Sequence, residues 1–214
     1  VCSSDRGKLL KRINYLIDCI LEIIFPNPPH CIICGYEEEG ICKSCIKSIK
    51  LCEEEEYYGY YSGVLKELIH LFKFKKDFLA GEILVNMLES KIKHIDKDYI
   101  LTYIPIGKKS KRKRGFNQCE YIAKKLSRKL DLRCNNTLIK IKETKVQKEL
   151  SKSERIENIK NSFGITNSQL IKGNKFILID DVVTTGATLK EGVKVLKENG
   201  ALEIKILTIA KSRI

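Results

Sequence analysis

The stretch Phe176-Ile177-Leu178-Ile179-Asp180-Asp181-Val182-Val183-Thr184-Thr185-Gly186-Ala187-Thr188 constrains the fold more than any other part of this 214-residue chain. Four apolar residues in a row read as a strand buried on both faces, since a half-exposed strand would alternate apolar and polar positions. Two carboxylates follow at its carboxyl end, then a hydroxyl-rich turn, then a helix over residues 188–198 stopped by Asn199 and Gly200. Residues 203–210 read as a second strand. Strand, helix and strand in this order make a βαβ unit, which implies an α/β fold: a parallel sheet with flanking helices and a right-handed crossover. The same string suits a sugar phosphate. Asp180 and Asp181 can accept hydrogen bonds from vicinal ribose hydroxyls, while Val182, Thr184, Thr185, Ala187 and Thr188 offer amides, hydroxyls and a helix N-terminus to a phosphate. Gly186 lets the backbone approach the ligand closely. There is no Gly-x4-Gly-Lys-Ser/Thr string, so a nucleoside-triphosphate P-loop is excluded.

Upstream, apolar residues at helical spacing predict helices over residues 9–25, 64–72, 79–92 and 119–130, and residues 99–106 read as a buried strand opening into a loop. The first of these carries Lys11, Arg12, Asp18 and Glu22, too many charges for a bilayer span. No export signal is recognisable, so a cytosolic location is expected. Nine cysteines in such a setting point to metal or buried thiols rather than disulfides.

Four of the nine have metal-ligand spacing. Cys31-x2-Cys34 and Cys42-x2-Cys45 are two knuckles separated by seven residues, so their thiolates can converge on one tetrahedral centre. A structural zinc ion is the expected occupant, because sulfur-only coordination leaves no open position for chemistry; buried reduced cysteines and an iron-sulfur cluster are the alternatives. Cys52 and His30 lie close enough to replace a ligand. Cys2, Cys19, Cys119 and Cys134 lack such spacing and read as core or incidental. The acidic run over residues 53–56 closes this amino-terminal unit, giving an expected division into residues 1–56 and 57–214.

The net charge of +13 is concentrated between Lys108 and Lys160, where basic residues outnumber acidic ones 18 to 6. Its densest part is an expected loop holding Lys108, Lys109, Lys111, Arg112, Lys113 and Arg114. One reading is a flap that neutralises a pyrophosphate. Another is a phosphate track for single-stranded nucleic acid, with Phe116 or Tyr57, Tyr58, Tyr60 and Tyr61 as stacking surfaces. A plain solvated loop is the third. Lys124, Lys125 and Arg128 on the following helix offer a second cationic face.

The string from Asp180 to Thr188 resembles the motif of type I phosphoribosyltransferases for 5-phosphoribosyl 1-pyrophosphate (PRPP). A cysteine-knuckle amino end, Leu68-Ile69-His70-Leu71-Phe72-Lys73-Phe74, Ile104-Pro105 followed by Arg114-Gly115-Phe116-Asn117-Gln118, and Gln147, Leu150, Ser151, Arg155 and Asn158 together resemble the ComF family. That resemblance implies a phosphoribosyltransferase-like domain binding PRPP with Mg²⁺, and a role in natural transformation, handling incoming single-stranded DNA. Other proteins of DNA uptake are then implied as partners. Thr184 stands where hypoxanthine-type enzymes carry an aspartate base, which disfavours oxopurine salvage because a hydroxyl is a poor base at neutral pH. A DNA-handling factor with bound PRPP is the leading reading. The alternatives are an active phosphoribosyltransferase with an unidentified nitrogenous acceptor and a purely structural zinc adaptor.

Overall fold

The structure, a computed structural model, describes residues 28–142 and 152–213, apart from the side chains at positions 152, 153, 155 and 156. The helix expected over residues 9–25 lies outside them, as do Cys2, Cys19, Gln147, Leu150 and Ser151. In chain order the elements are α1 (Lys43–Lys47), β1 (Tyr57–Tyr60), α2 (Gly63–His70) and α3 (Phe78–Ile92), then β2 (Tyr99–Tyr103), α4 (Lys108–Arg114), α5 (Gln118–Leu130) and β3 (Arg133–Cys134). After them come β4 (Leu138–Lys140), α6 (Lys152–Ile159), β5 (Phe163–Ile165), β6 (Lys175–Val183), α7 (Ala187–Glu198) and β7 (Glu203–Lys211).

Five strands form a parallel sheet in the order β1-β7-β6-β2-β3, and β4 pairs antiparallel with β5 in a separate two-stranded sheet. The central strands are those whose sequence is most apolar. Every residue of β2 is buried, and Ile177, Leu178 and Ile179 of β6 are sealed between two layers. On one face lie Leu65, Leu68 and Ile69 of α2, Ile83, Leu84 and Leu88 of α3, and Ile122, Ala123 and Leu126 of α5. The other face is covered by Ile159 of α6 and Leu189, Val195 and Leu196 of α7. Among the described residues no helix is long and apolar enough to cross a membrane.

Local signals set the helix ends. Asp77 accepts from the Ala80 N–H at 3.0 Å and Asn117 from the Cys119 N–H at 3.0 Å, each satisfying an otherwise orphaned first-turn donor. A β-carbon on Gly81 would lie 2.7 Å from Cε2 of Phe72, so only glycine allows α3 to approach that ring.

Two elements differ from expectation. The basic segment expected to be a loop is the helix α4, since Lys and Arg are good helix formers and Gly107 and Gly115 bound the run. Gly115 adopts φ +86° and donates its N–H to Lys111 O, closing the helix at its C-terminus. The helix expected over residues 64–72 ends at His70 and continues as a wide π turn, Leu71–Lys75, which rotates Lys73 inward and leaves Phe74 exposed.

Candidate functional site

Strand β6 continues past its apolar run and carries Asp180 and Asp181 within its last turns of pleat, four residues further than the sequence pattern indicated. Its neighbours still pair there, with Asp180 opposite Thr208 and Val182 opposite Ala210 of β7. The chain then turns through Thr184 and Thr185, which are half-buried, to Gly186 at φ +73°. Residue 186 is the N-cap of α7, and its left-handed conformation is why glycine stands there. Thr185 Oγ1 accepts from the Ala187 N–H at 3.4 Å. Two carboxylates, a hydroxyl turn and a helix N-terminus therefore meet at the carboxyl edge of a parallel sheet, where α/β folds place ligands.

The two carboxylates have different surroundings. Asp181 Oδ2 faces Lys73 Nζ at 2.8 Å and also accepts from the Gln118 amide, while Oδ1 takes the Val182 N–H at 2.6 Å. Burial opposes its charge, but the Lys73 ammonium and the Gln118 amide outweigh burial and hold the carboxyl below the usual range. Asp180 Oδ1 takes the Asp181 N–H at 2.9 Å and the Cys119 thiol at 3.8 Å. Burial, and then the adjacent charge of Asp181, push Asp180 up to about 7. Cys119, which reads from the sequence as core or incidental, is in the core beside both acids and is kept a thiol by burial and then by their charges.

Lys73, Gln118 and Cys119 were given no binding role from the sequence. Arg114, the last residue of α4, hydrogen-bonds Gln118 Oε1 at 2.8 Å and lies over the Phe74 ring at 5.5 Å. The basic helix thus reaches Asp181 through a single amide. Lys108 to Lys113 are exposed. Among the described residues Lys109, Lys111, Arg112 and Lys113 form no ion pair. The cations of α5 differ: Lys124 pairs with Glu120 at 2.7 Å, Lys125 with Glu82 at 2.6 Å and Lys129 with Glu89 at 3.1 Å, two of them clamping α5 to α3. Of the proposed stacking rings, Phe116 is packed among Phe72 and Phe78, while Tyr57 and Tyr60 already face Lys211 and Arg213.

The four knuckle sulfurs come together. Cys31 and Cys45 lie 3.9 Å apart, Cys34 and Cys42 3.7 Å, and all four sulfurs fall within 4.8 Å of one another. A tetrahedral ion with metal–sulfur bonds of about 2.3 Å separates its sulfurs by about 3.8 Å, so the spacing fits a metal and is far too long for disulfides. Burial opposes ionisation of Cys31, yet hydrogen bonds to the backbone of Cys42, Cys34 and Ile33 pull its thiol down to about 6. Burial and then the neighbouring sulfurs hold Cys45 above the usual thiol range. Four thiolates need a cation to coexist at this distance, and the donor set could hold one. Cys52 is buried outside this cluster and His30 is not part of it. Ile33, Ile41 and Val64 pack the cluster onto the main core.

Comparison with known proteins fits this geometry. The family profile described as phosphoribosyl transferase domain matches residues 117–214, which hold α5, β6 and α7. Competence protein F of Haemophilus influenzae is 31% identical over 199 residues, covering 86% of this chain and 85% of that protein. The chain belongs to the ComF family of competence proteins. Competence protein ComFC of Bacillus subtilis is 28% identical, covering 99% of this chain and 84% of that protein. Among solved structures, adenine phosphoribosyltransferase from Leishmania donovani superposes with a TM-score of 0.43 at 13% identity, covering 74% of this chain and 85% of that one. This ComF protein has an α/β architecture, a parallel sheet with flanking helices preceded by a cysteine cluster, and its carboxyl-terminal part carries the phosphoribosyl transferase domain match.

Proposed function

We propose that this protein is a competence factor that handles incoming single-stranded DNA in the cytoplasm while its phosphoribosyltransferase-like domain binds PRPP. The observation that carries the reading is the chain of contacts from Asp181 through Gln118 to Arg114, which joins the carboxylate pair to a helix on which, among the described residues, Lys109, Lys111, Arg112 and Lys113 form no ion pair. Asp180 and Asp181 accept the ribose hydroxyls, and Val182, Thr184, Thr185, Gly186, Ala187 and Thr188 cradle the 5′-phosphate at the N-terminus of α7. Mg²⁺ arrives with the pyrophosphate, a hard cation suited to oxygen donors. Lys108, Lys109, Lys111, Arg112, Lys113 and Arg114 supply the phosphate track. Residues 1–56 act as a unit organised by zinc on Cys31, Cys34, Cys42 and Cys45, with residues 57–214 forming the ligand-binding unit. Other proteins of DNA uptake are its partners.

The test is calorimetry with PRPP and Mg²⁺ beside fluorescence anisotropy with a labelled oligothymidylate. Wild type is expected to bind both, and Asp180→Asn/Asp181→Asn to lose PRPP while keeping DNA. Equal PRPP affinity in the two proteins sinks the assignment. A phosphoribosyltransferase activity toward a nitrogenous acceptor is a second reading, favoured by the fully assembled carboxylate and threonine site; pyrophosphate release with a panel of nucleobases tests it.

A further inference from the structure

Resting on the PRPP reading, we infer that Lys73 is a specificity-determining residue. Its ammonium holds Asp181 in the free protein and transfers to the anionic group at C1 of the ligand when the ribose diol takes its place.

The inference starts from the unequal occupancy of the two acids. Asp181 accepts from Lys73, Gln118 and the Val182 N–H, three of the roughly four positions a carboxylate offers. Asp180 spends Oδ1 on the Asp181 N–H and the Cys119 thiol, and its Oδ2 accepts from no described residue. A vicinal diol brings two adjacent hydroxyls. One can donate to Asp180 Oδ2, and the other reaches Asp181 most directly where Lys73 or Gln118 now sits. Gln118 is held from its far end by Arg114 at 2.8 Å. Lys73 has its one ion pair among the described residues with Asp181, on a four-carbon stem that reorients freely. Lys73 is the group that yields.

A displaced ammonium that is only 14% exposed needs another anion, because desolvated charge without a partner is costly. On PRPP the hydroxyl at C2 neighbours the pyrophosphate at C1, so that anion lies within the swing of the side chain. Ribose 5-phosphate has the diol and the distal phosphate but no anion at C1. Binding it strands Lys73. The residue therefore favours ligands that join a diol to an adjacent pyrophosphate.

Calorimetry with PRPP and with ribose 5-phosphate, both with Mg²⁺, on wild type, Lys73→Met and Lys73→Gln tests this. Glutamine keeps a donor for Asp181, which guards against a variant that fails to fold. Charge-assisted hydrogen bonds set the scale, so both variants are expected to lower the ratio of PRPP to ribose 5-phosphate affinity by about tenfold or more. Ribose 5-phosphate should bind as well as before or better. A variant that keeps the wild-type ratio overturns the inference and leaves the PRPP reading standing. A wild type that binds neither ligand overturns both.

Discussion

The backbone N–H of Asp181 donates to Oδ1 of Asp180 at 2.9 Å, so one carboxylate of the pair is pinned to the main chain of the other. With Lys73 paired to Asp181 and, among the described residues, no cation paired with Asp180, the two acids divide their titration. An acid whose folded pKa is raised stabilises the fold through its proton. That contribution is full below the ordinary value of 3.8 and is lost as pH rises to about 7.

Stability in the absence of ligand is therefore expected to fall between pH 4 and pH 7.5 more steeply in wild type than in Asp180→Asn. The difference accumulated across that window is about 2–4 kcal/mol. Urea midpoints of both proteins at half-unit pH intervals measure it, and parallel curves would show that Asp180 titrates normally.

Purified protein is expected to hold about one zinc per chain, with Cys31→Ser/Cys42→Ser losing it. A closed thiolate site contributes folding free energy directly, and Ile33 and Ile41 tie it to the main core, so the variant should also unfold at lower temperature. Elemental analysis and thermal denaturation check this together. A variant as stable as wild type would leave the cluster a set of reduced thiols.

The two basic helices should separate cleanly in DNA binding. Each phosphate neutralised contributes about −0.7 to the slope of log affinity against log salt on single strands, so Lys111→Ala/Arg112→Ala/Lys113→Ala should flatten the slope by up to about 2. Lys125→Ala/Lys129→Ala should leave it nearly unchanged and cost at most about 1 kcal/mol of stability per lost pair, because those cations are already paired with Glu82 and Glu89. The opposite pattern would move the DNA surface to α5.

Gly81→Ala should destabilise the fold. Its new carbon would sit 2.7 Å from Phe72, which is fully buried, and 3.2 Å from Tyr121, which packs on the same ring. Overpacking costs about 1–3 kcal/mol and the better helix propensity of alanine returns about 1, leaving a net loss near 1 kcal/mol. Chemical denaturation measures it; a gain in stability would mean that the rings give way.

What the sequence determined by itself is local. The βαβ unit around Asp180 and Asp181 was legible because an uninterrupted apolar run, a turn and an amphipathic helix follow one another within a few dozen residues. The cysteine knuckles were legible because ligand spacing is itself a geometric constraint. Short strands such as β1, β3, β4 and β5 were not, since two to four residues give no period to read and their partners lie far along the chain. The basic run read as a loop because its charge masked its helix propensity. Only the tertiary structure could bring Lys73 and Gln118 to Asp181, or show that α5 spends Lys125 and Lys129 on α3 while, among the described residues, Lys109, Lys111, Arg112 and Lys113 of α4 form no ion pair. Composition records which charges a chain carries. Which of them remain available to a ligand is decided by the partners that packing supplies, and packing joins residues that no local pattern relates.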